Sequence, residues 1–88
     1  MEGRQLILND GTIIENGEAG SSAGILWCYF TGYTLQEAAA MFFDVGKTSR
    51  IKFVYGEMQD EYEGFTNCFN INVDVDGRVS VGLKRGGN

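Results

Sequence analysis

The sequence predicts an α+β fold, a mostly antiparallel β-sheet or small partly closed barrel in the order β-β-β-α-β-β-β, with one helix packed on it. Three observations predict it. Glycine does the punctuating, with 13 Gly and no Pro, and Asp10-Gly11 and Asp76-Gly77 each fall between apolar runs, the strongest short hairpin signal. Apolar residues alternate with period two from Arg50 onward, as in a strand with one face in water. A single segment, opening at Thr34, carries both a helical start signal and a helical apolar stripe.

The elements follow in order. Gln5 to Leu8 and Thr12 to Glu15 form the first hairpin around Asn9-Asp10-Gly11, and Asn16 to Gly24, rich in Gly and Ser, reads as a loop. Ile25 to Phe30 is a continuous apolar strand. Thr34-Leu35-Gln36-Glu37 matches a capping box, in which Thr34 caps the amide of Glu37 and Glu37 reaches back. The helix it opens, about Leu35 to Phe43, places Leu35, Ala38, Ala39 and Phe42 on one face, and Gly46 is a natural left-handed stop. In Arg50 to Tyr55, Ile51, Phe53 and Tyr55 share a face. Gly56 to Glu61 turns the chain into a long strand from about Tyr62 to Asp74, with Phe65, Phe69, Ile71 and Val73 inward. A three-residue loop, Val75-Asp76-Gly77, pairs Val73 with Val79 and Ile71 with Val81 and sets Asp74 against Arg78; a two-residue loop would split the apolar sets across both faces.

Residues 1–88 are read as one domain, since the chain is too short for two. With 43% apolar and 12% aromatic residues it can build a core. Cys28 and Cys68 lie in apolar, strand-like runs, where a free thiol packs as a small hydrophobe; two cysteines are also few for a disulfide scaffold. The start, Met1 to Gln5, lacks the apolar core of a leader peptide, and no apolar run approaches the ~20 residues that span a bilayer. A cytoplasmic location is expected, with no membrane partner. Twelve Asp and Glu against seven Lys and Arg give a net charge of −5, which argues against direct nucleic-acid binding and fits a basic protein partner.

Catalytic chemistry finds little support. There is no His, the usual general base and metal ligand. The cysteines are forty residues apart, without metal or redox spacing. Gly17-Glu18-Ala19-Gly20 lacks the Lys of a phosphate-cradling loop. Asp60 and Glu63 could serve as an acid–base pair, although surface carboxylates are common. Asp74-Val75-Asp76-Gly77 starts like a calcium loop but lacks the later oxygen ligands, so a turn explains it better. A non-enzyme with no cofactor and no metal is expected.

Two binding surfaces are expected instead. Glu57, Met58, Asp60, Glu61, Tyr62 and Glu63 form an acidic turn that reads as a solvated loop or as a finger docking on a basic groove of another protein. Ile25 to Phe30 is apolar on both faces, and one short helix cannot cover two faces of a sheet. Leu26, Trp27, Tyr29 and Phe30 are therefore candidates for an oligomer or partner surface, with closure of the sheet on itself as the alternative. Trp27, Tyr29, Tyr33 and Tyr55 could also form a stacking surface for a planar ligand, or simply an aromatic core and rim.

Leu6 to Thr12, Leu26 to Tyr29, Thr34 to Phe43, Tyr55 to Met58 and Tyr62 to Thr66 together resemble small uncharacterised proteins of Firmicutes phages and prophages. The resemblance covers most of the chain and carries no site residue. It implies either an antagonist of bacterial immunity, a class that includes anti-CRISPR proteins, or a minor virion or assembly protein. The function expected is a stoichiometric inhibitor of a host defence protein of CRISPR-like type, working in the bacterial cytoplasm through a protein–protein interface as a homodimer or higher oligomer. The alternatives are a structural role in the virion, or an oligomeric sponge for a nucleotide signal. A sponge would need at least two of Lys47, Arg50, Lys52, Arg78, Lys84 and Arg85 to converge on one pocket.

Overall fold

The computed structural model describes residues 3–86; Met1 and Glu2, at the head of the segment read for a leader, lie outside it. Within it the chain forms β1 (Arg4–Ile7), β2 (Ile13–Glu15), β3 (Glu18–Ser22), β4 (Ile25–Thr31), α1 (Leu35–Phe42), α2 (Val45–Thr48), β5 (Arg50–Tyr55), β6 (Met58–Glu63), β7 (Asn67–Val73) and β8 (Arg78–Lys84). The strands make two four-stranded sheets, the first ordered β2-β1-β5-β6 and the second β3-β4-β8-β7. Every pairing is antiparallel, so the α+β class read from the sequence is the fold observed.

Both Asp-Gly hairpins have the loop length that keeps apolar residues on one face. Asp74 donates its N–H to the Arg78 carbonyl at 3.0 Å and Gly77 donates to the Asp74 carbonyl at 3.0 Å, with Gly77 at φ 83°. The register is Val73 to Val79 and Ile71 to Val81, as the alternation demands. Leu8, Thr12 and Gly11 repeat the pattern, with bonds of 2.8 and 2.9 Å and Gly11 at φ 93°. Asp74 and Arg78 meet through the backbone: the Asp74 carboxylate accepts the N–H groups of Asp76 and Arg78 at 2.9 and 3.0 Å. It is therefore a turn former.

Two strands arise where the sequence suggested irregular chain. The stretch expected as a loop, Asn16 to Gly24, contains β3, which joins β4 through a two-residue turn with Ala23 at φ 54° and Gly24 at φ 79°. β3 has no apolar alternation because it is an edge strand held mainly by its ladder, so periodicity could not reveal it. Likewise the expected turn from Gly56 to Glu61 shortens to Gly56-Glu57, with Tyr55 opposite Met58. The long strand expected from Tyr62 to Asp74 breaks at Gly64, φ 82°, into the end of β6 and all of β7.

The capping box forms as read: Glu37 N–H donates to Thr34 Oγ1 at 3.1 Å, and Thr34 N–H donates to the Glu37 carboxylate at 2.8 Å. The packed stripe is Ala38, Met41 and Phe42, while Leu35, expected on it, is 52% exposed. The stripe lies further along because α1 meets the sheets through its last turns, where Phe42 stacks on Phe30 at 5.5 Å. Gly46 is not the left-handed stop expected. The helix ends at Phe43, and Asp44 caps α2 by accepting the Gly46 N–H at 2.9 Å. One core joins both sheets and the helix: Leu6, Leu8, Ile14 and Ile51 from the first sheet, Leu26, Cys28, Phe30, Val79, Val81 and Leu83 from the second, with Ala38, Met41 and Phe42. Among the described residues no helix is long and apolar enough to cross a membrane.

Candidate functional site

Strand alternation divides β4 cleanly. Leu26, Cys28 and Phe30 are buried, and Ile25, Trp27 and Tyr29 face outward, half-buried. Of the four residues expected at an oligomer or partner surface, Leu26 (0% exposed) and Phe30 (2%) are therefore core. Trp27 and Tyr29 are on the outer face of the second sheet. The second face of β4 is covered in part by this chain's own side chains, which is how one short helix suffices.

Two departures from regular sheet structure set up that outer face. The first is a β-bulge between Cys68 and Asn70. An extra residue in one strand shifts the alternation beyond it. Cys68 thus turns inward opposite Leu83, and Phe69, expected inside, is carried out to solvent at 44% exposure. The second is Gly82, opposite both Trp27 and Asn70 in the middle of the sheet. A Cβ there would lie 2.9 Å from Trp27 Cζ3 and 2.9 Å from Phe69 Cζ. Glycine weakens a strand interior but permits close approach. Here it lets the indole and the phenyl ring lie over the backbone, edge to face at 5.8 Å.

Cations flank the aromatics. The Arg78 guanidinium sits 4.5 Å from the centre of the Tyr29 ring, and Lys84 Nζ 4.8 Å from that of Phe69. Such contacts are worth ~0.5–1 kcal/mol each at exposed sites and hold the long side chains against the sheet. Glu18, directly opposite Tyr29, meets Arg4 at 3.4 Å and Arg78 at 4.0 Å. The surface is thus aromatic at its centre, basic at its margins and polar between, with Ser80 and Asn72 paired across the strands.

The expected acidic turn is a strand. Met58 to Glu63 form β6, the edge of the first sheet, and only Glu57 remains in the turn. Alternation sends Glu61 and Glu63 to the outer face, where both meet Arg50, at 3.5 and 3.1 Å. Asp60 and Tyr62 take the other side. The Tyr55 hydroxyl donates to Asp60 at 3.2 Å, and that bond raises the Tyr55 pKa. Tyr62 packs edge-on to Phe65, and burial raises its pKa. Met58 is 59% exposed. The six residues therefore do not form one finger, and the two expected surfaces belong to different sheets.

The four aromatics considered for stacking also separate. Trp27 and Tyr29 share the outer face just described, Tyr33 packs edge-on to Phe30, and Tyr55 stacks on Phe53 at 4.6 Å in the first sheet. Both thiols are free, and burial pushes the Cys28 thiol up to about 12, where it is no nucleophile at neutral pH. Sequence reasoning missed Phe69 because a bulge leaves no mark on period-two counting. Gly82 left a mark: a glycine inside an alternating strand signals close approach. No family model, curated protein or solved structure matches this chain.

Proposed function

We propose that the chain is a small binding protein of phage type, a stoichiometric inhibitor that occupies a host defence protein, and that the outer face of the second sheet is its contact surface. The observation that carries this reading is the placement of Trp27 and Phe69 over Gly82, beside Tyr29 and Arg78. Trp, Tyr and Arg are the residues that dominate interface energetics when they meet a partner and lose water. A mid-sheet glycine costs strand stability, and Gly82 gives up that stability where a Cβ would strike both rings. The partner that fits presents an apolar pocket rimmed by carboxylates, complementary to Arg78 and Lys84.

The test is co-expression with candidate defence proteins of CRISPR-like type, followed by pull-down and a phage-protection assay. Trp27→Ala and Arg78→Glu each should weaken capture by about 30-fold or more, the worth of a hot-spot residue. Glu61→Lys, on the other sheet, should leave it within about threefold. No captured partner and no protection of phage would overturn the proposal. Loss of capture in Glu61→Lys alone would move the contact to the acidic edge of β6.

A further inference from the structure

Where β1 parts from β5 a cleft opens on the outer face of the first sheet. The last cross-strand pair is Ile7 with Lys52; in a continued ladder Asn9 would reach Arg50. Instead the hairpin tip is drawn onto α2. Asn9 donates its N–H to the Lys47 carbonyl at 2.9 Å and its side-chain amide to the Gly46 carbonyl at 3.0 Å, and Asp10 holds the Lys47 ammonium. The gap left behind is a half-open cleft of about 250 Å³ lined by Ile7, Leu8, Asn9, Gly11, Arg50 and Lys52. Two cations, two residues apart on one strand face, thus converge on a cleft with an apolar wall. That is the convergence a small anionic ligand requires, and among the described residues no carboxylate is in the lining.

We propose that this cleft binds a small organic anion, with the oxyanion group between Arg50 and Lys52 and an apolar body against Ile7. The guanidinium offers a fork that matches carboxylate or phosphate oxygens, and the ammonium adds a point charge. The volume is below the ~300–1,000 Å³ of sites for drug-sized molecules and fits a single-ring acid or phosphate monoester. Lys52 has no ion-pair partner among the described residues, whereas Arg50 meets Glu61 and Glu63 through side chains 53%, 38% and 61% exposed. Exposed pairs of this kind are weak, so the ligand competes with the two carboxylates for the guanidinium. Binding would therefore release Glu61 and Glu63 at the edge of the sheet. The site does not depend on the protein-binding face, which belongs to the other sheet.

Phenyl phosphate, benzoate, inorganic phosphate and benzyl alcohol, titrated into the whole protein and followed by amide NMR shifts, test the proposal. Phenyl phosphate or benzoate should move the Ile7, Gly11 and Lys52 amides and leave the Trp27 indole N–H in place. The winning probe tells phosphate ester from carboxylate. Inorganic phosphate should bind at least ~10-fold more weakly and benzyl alcohol not at all. Arg50→Gln and Lys52→Gln should each cost about tenfold, the worth of a charged hydrogen bond, while Glu63→Gln, by freeing Arg50, should tighten binding. Because the last two variants act in opposite directions, general loss of folding cannot imitate the result. Inorganic phosphate binding as well as the organic anions, Lys52→Gln binding like the parent, or Glu63→Gln binding more weakly would each overturn the assignment, as would no shift with any probe.

Discussion

The outer faces of the two sheets solve one problem in two ways. Both must cover residues that strand alternation leaves on the water side of a half-buried sheet. The first sheet does so with cross-strand partners in a regular ladder: Gln5 donates to Glu15 directly opposite at 3.1 Å, Arg50 meets Glu63 directly opposite, and Ile7 faces Ile13. The second sheet instead lays large rings over a glycine and bends a strand to add Phe69. The regular face covers these residues by the pairing that stabilises sheets generally. The irregular face accepts local costs and keeps aromatic surface near solvent. Breaches of local rules point to function, which is why we propose the contact surface on the second sheet.

The contrast between inside and outside of β4 should give the largest effects. Leu26→Ala empties a fully buried position and should cost ~2–5 kcal/mol. Trp27→Ala, one residue on, removes a half-buried ring and one edge-to-face pair and should cost ~1–2 kcal/mol, although tryptophan is the larger side chain. Urea unfolding of both variants measures the two costs. A Trp27 loss equal to that of Leu26 would make the indole a structural residue and remove the case for a contact face.

A finer test uses the two glycines that flank Trp27, Gly20 on β3 and Gly82 on β8. A methyl group at 82 strikes both rings at 2.9 Å, whereas nothing lies within 4 Å of one at 20. Gly82→Ala should therefore cost ~1–3 kcal/mol, the range for overpacking, and shift the Trp27 emission as the ring lifts. Gly20→Ala should be neutral or slightly stabilising, because it removes unfolded-state freedom at no native cost. Equal responses at the two sites would mean that the rings adapt freely and the platform is not preformed.

How far the sequence revealed these faces follows from what each signal reports. Hairpin registers were legible because Asp-Gly fixes the loop and only one loop length keeps Val73, Ile71, Val79 and Val81 together. The capping box was legible because its spacing names both partners, Thr34 and Glu37. By contrast, β3 offered no alternation to count, since Gly20, Ser21 and Ser22 are exposed and bring no apolar side chain. Phe69 was misplaced because a single inserted residue reverses parity. The site was half legible: the two-sided apolar run at β4 flagged Trp27 and Tyr29, but Arg78 and Lys84 join them only through cross-strand register. The cleft was not legible at all, for it exists where a ladder stops.

The smallest effect expected concerns the two hairpin tips. Val75, at the second-sheet tip, is fully exposed, whereas the first-sheet tip is fastened to α2 by Asn9 and Asp10. The Lys47 ammonium, followed by hydrogen bonds involving Thr12, holds the Asp10 carboxyl well below its usual range, and Asp10 in turn raises the Lys47 pKa. A carboxyl whose pKa is lower folded than unfolded adds stability above its unfolded value, ~3.9, and loses it as the pH falls through the folded value. The raised Lys47 has the opposite sense: its contribution is present below ~10.4 and is lost as the pH rises through the folded value. The fastening thus acts between about pH 4 and pH 10. Asp10→Asn should lower the thermal midpoint slightly at pH 7, and the gap between variant and parent should close toward pH 2. It should also narrow in high salt, because the pair is exposed. Val75→Thr, at the other tip, should show no gap at any pH. A gap for Asp10→Asn that persisted unchanged to pH 2 would mean that the turn geometry, and not the ion pair, holds the cleft open.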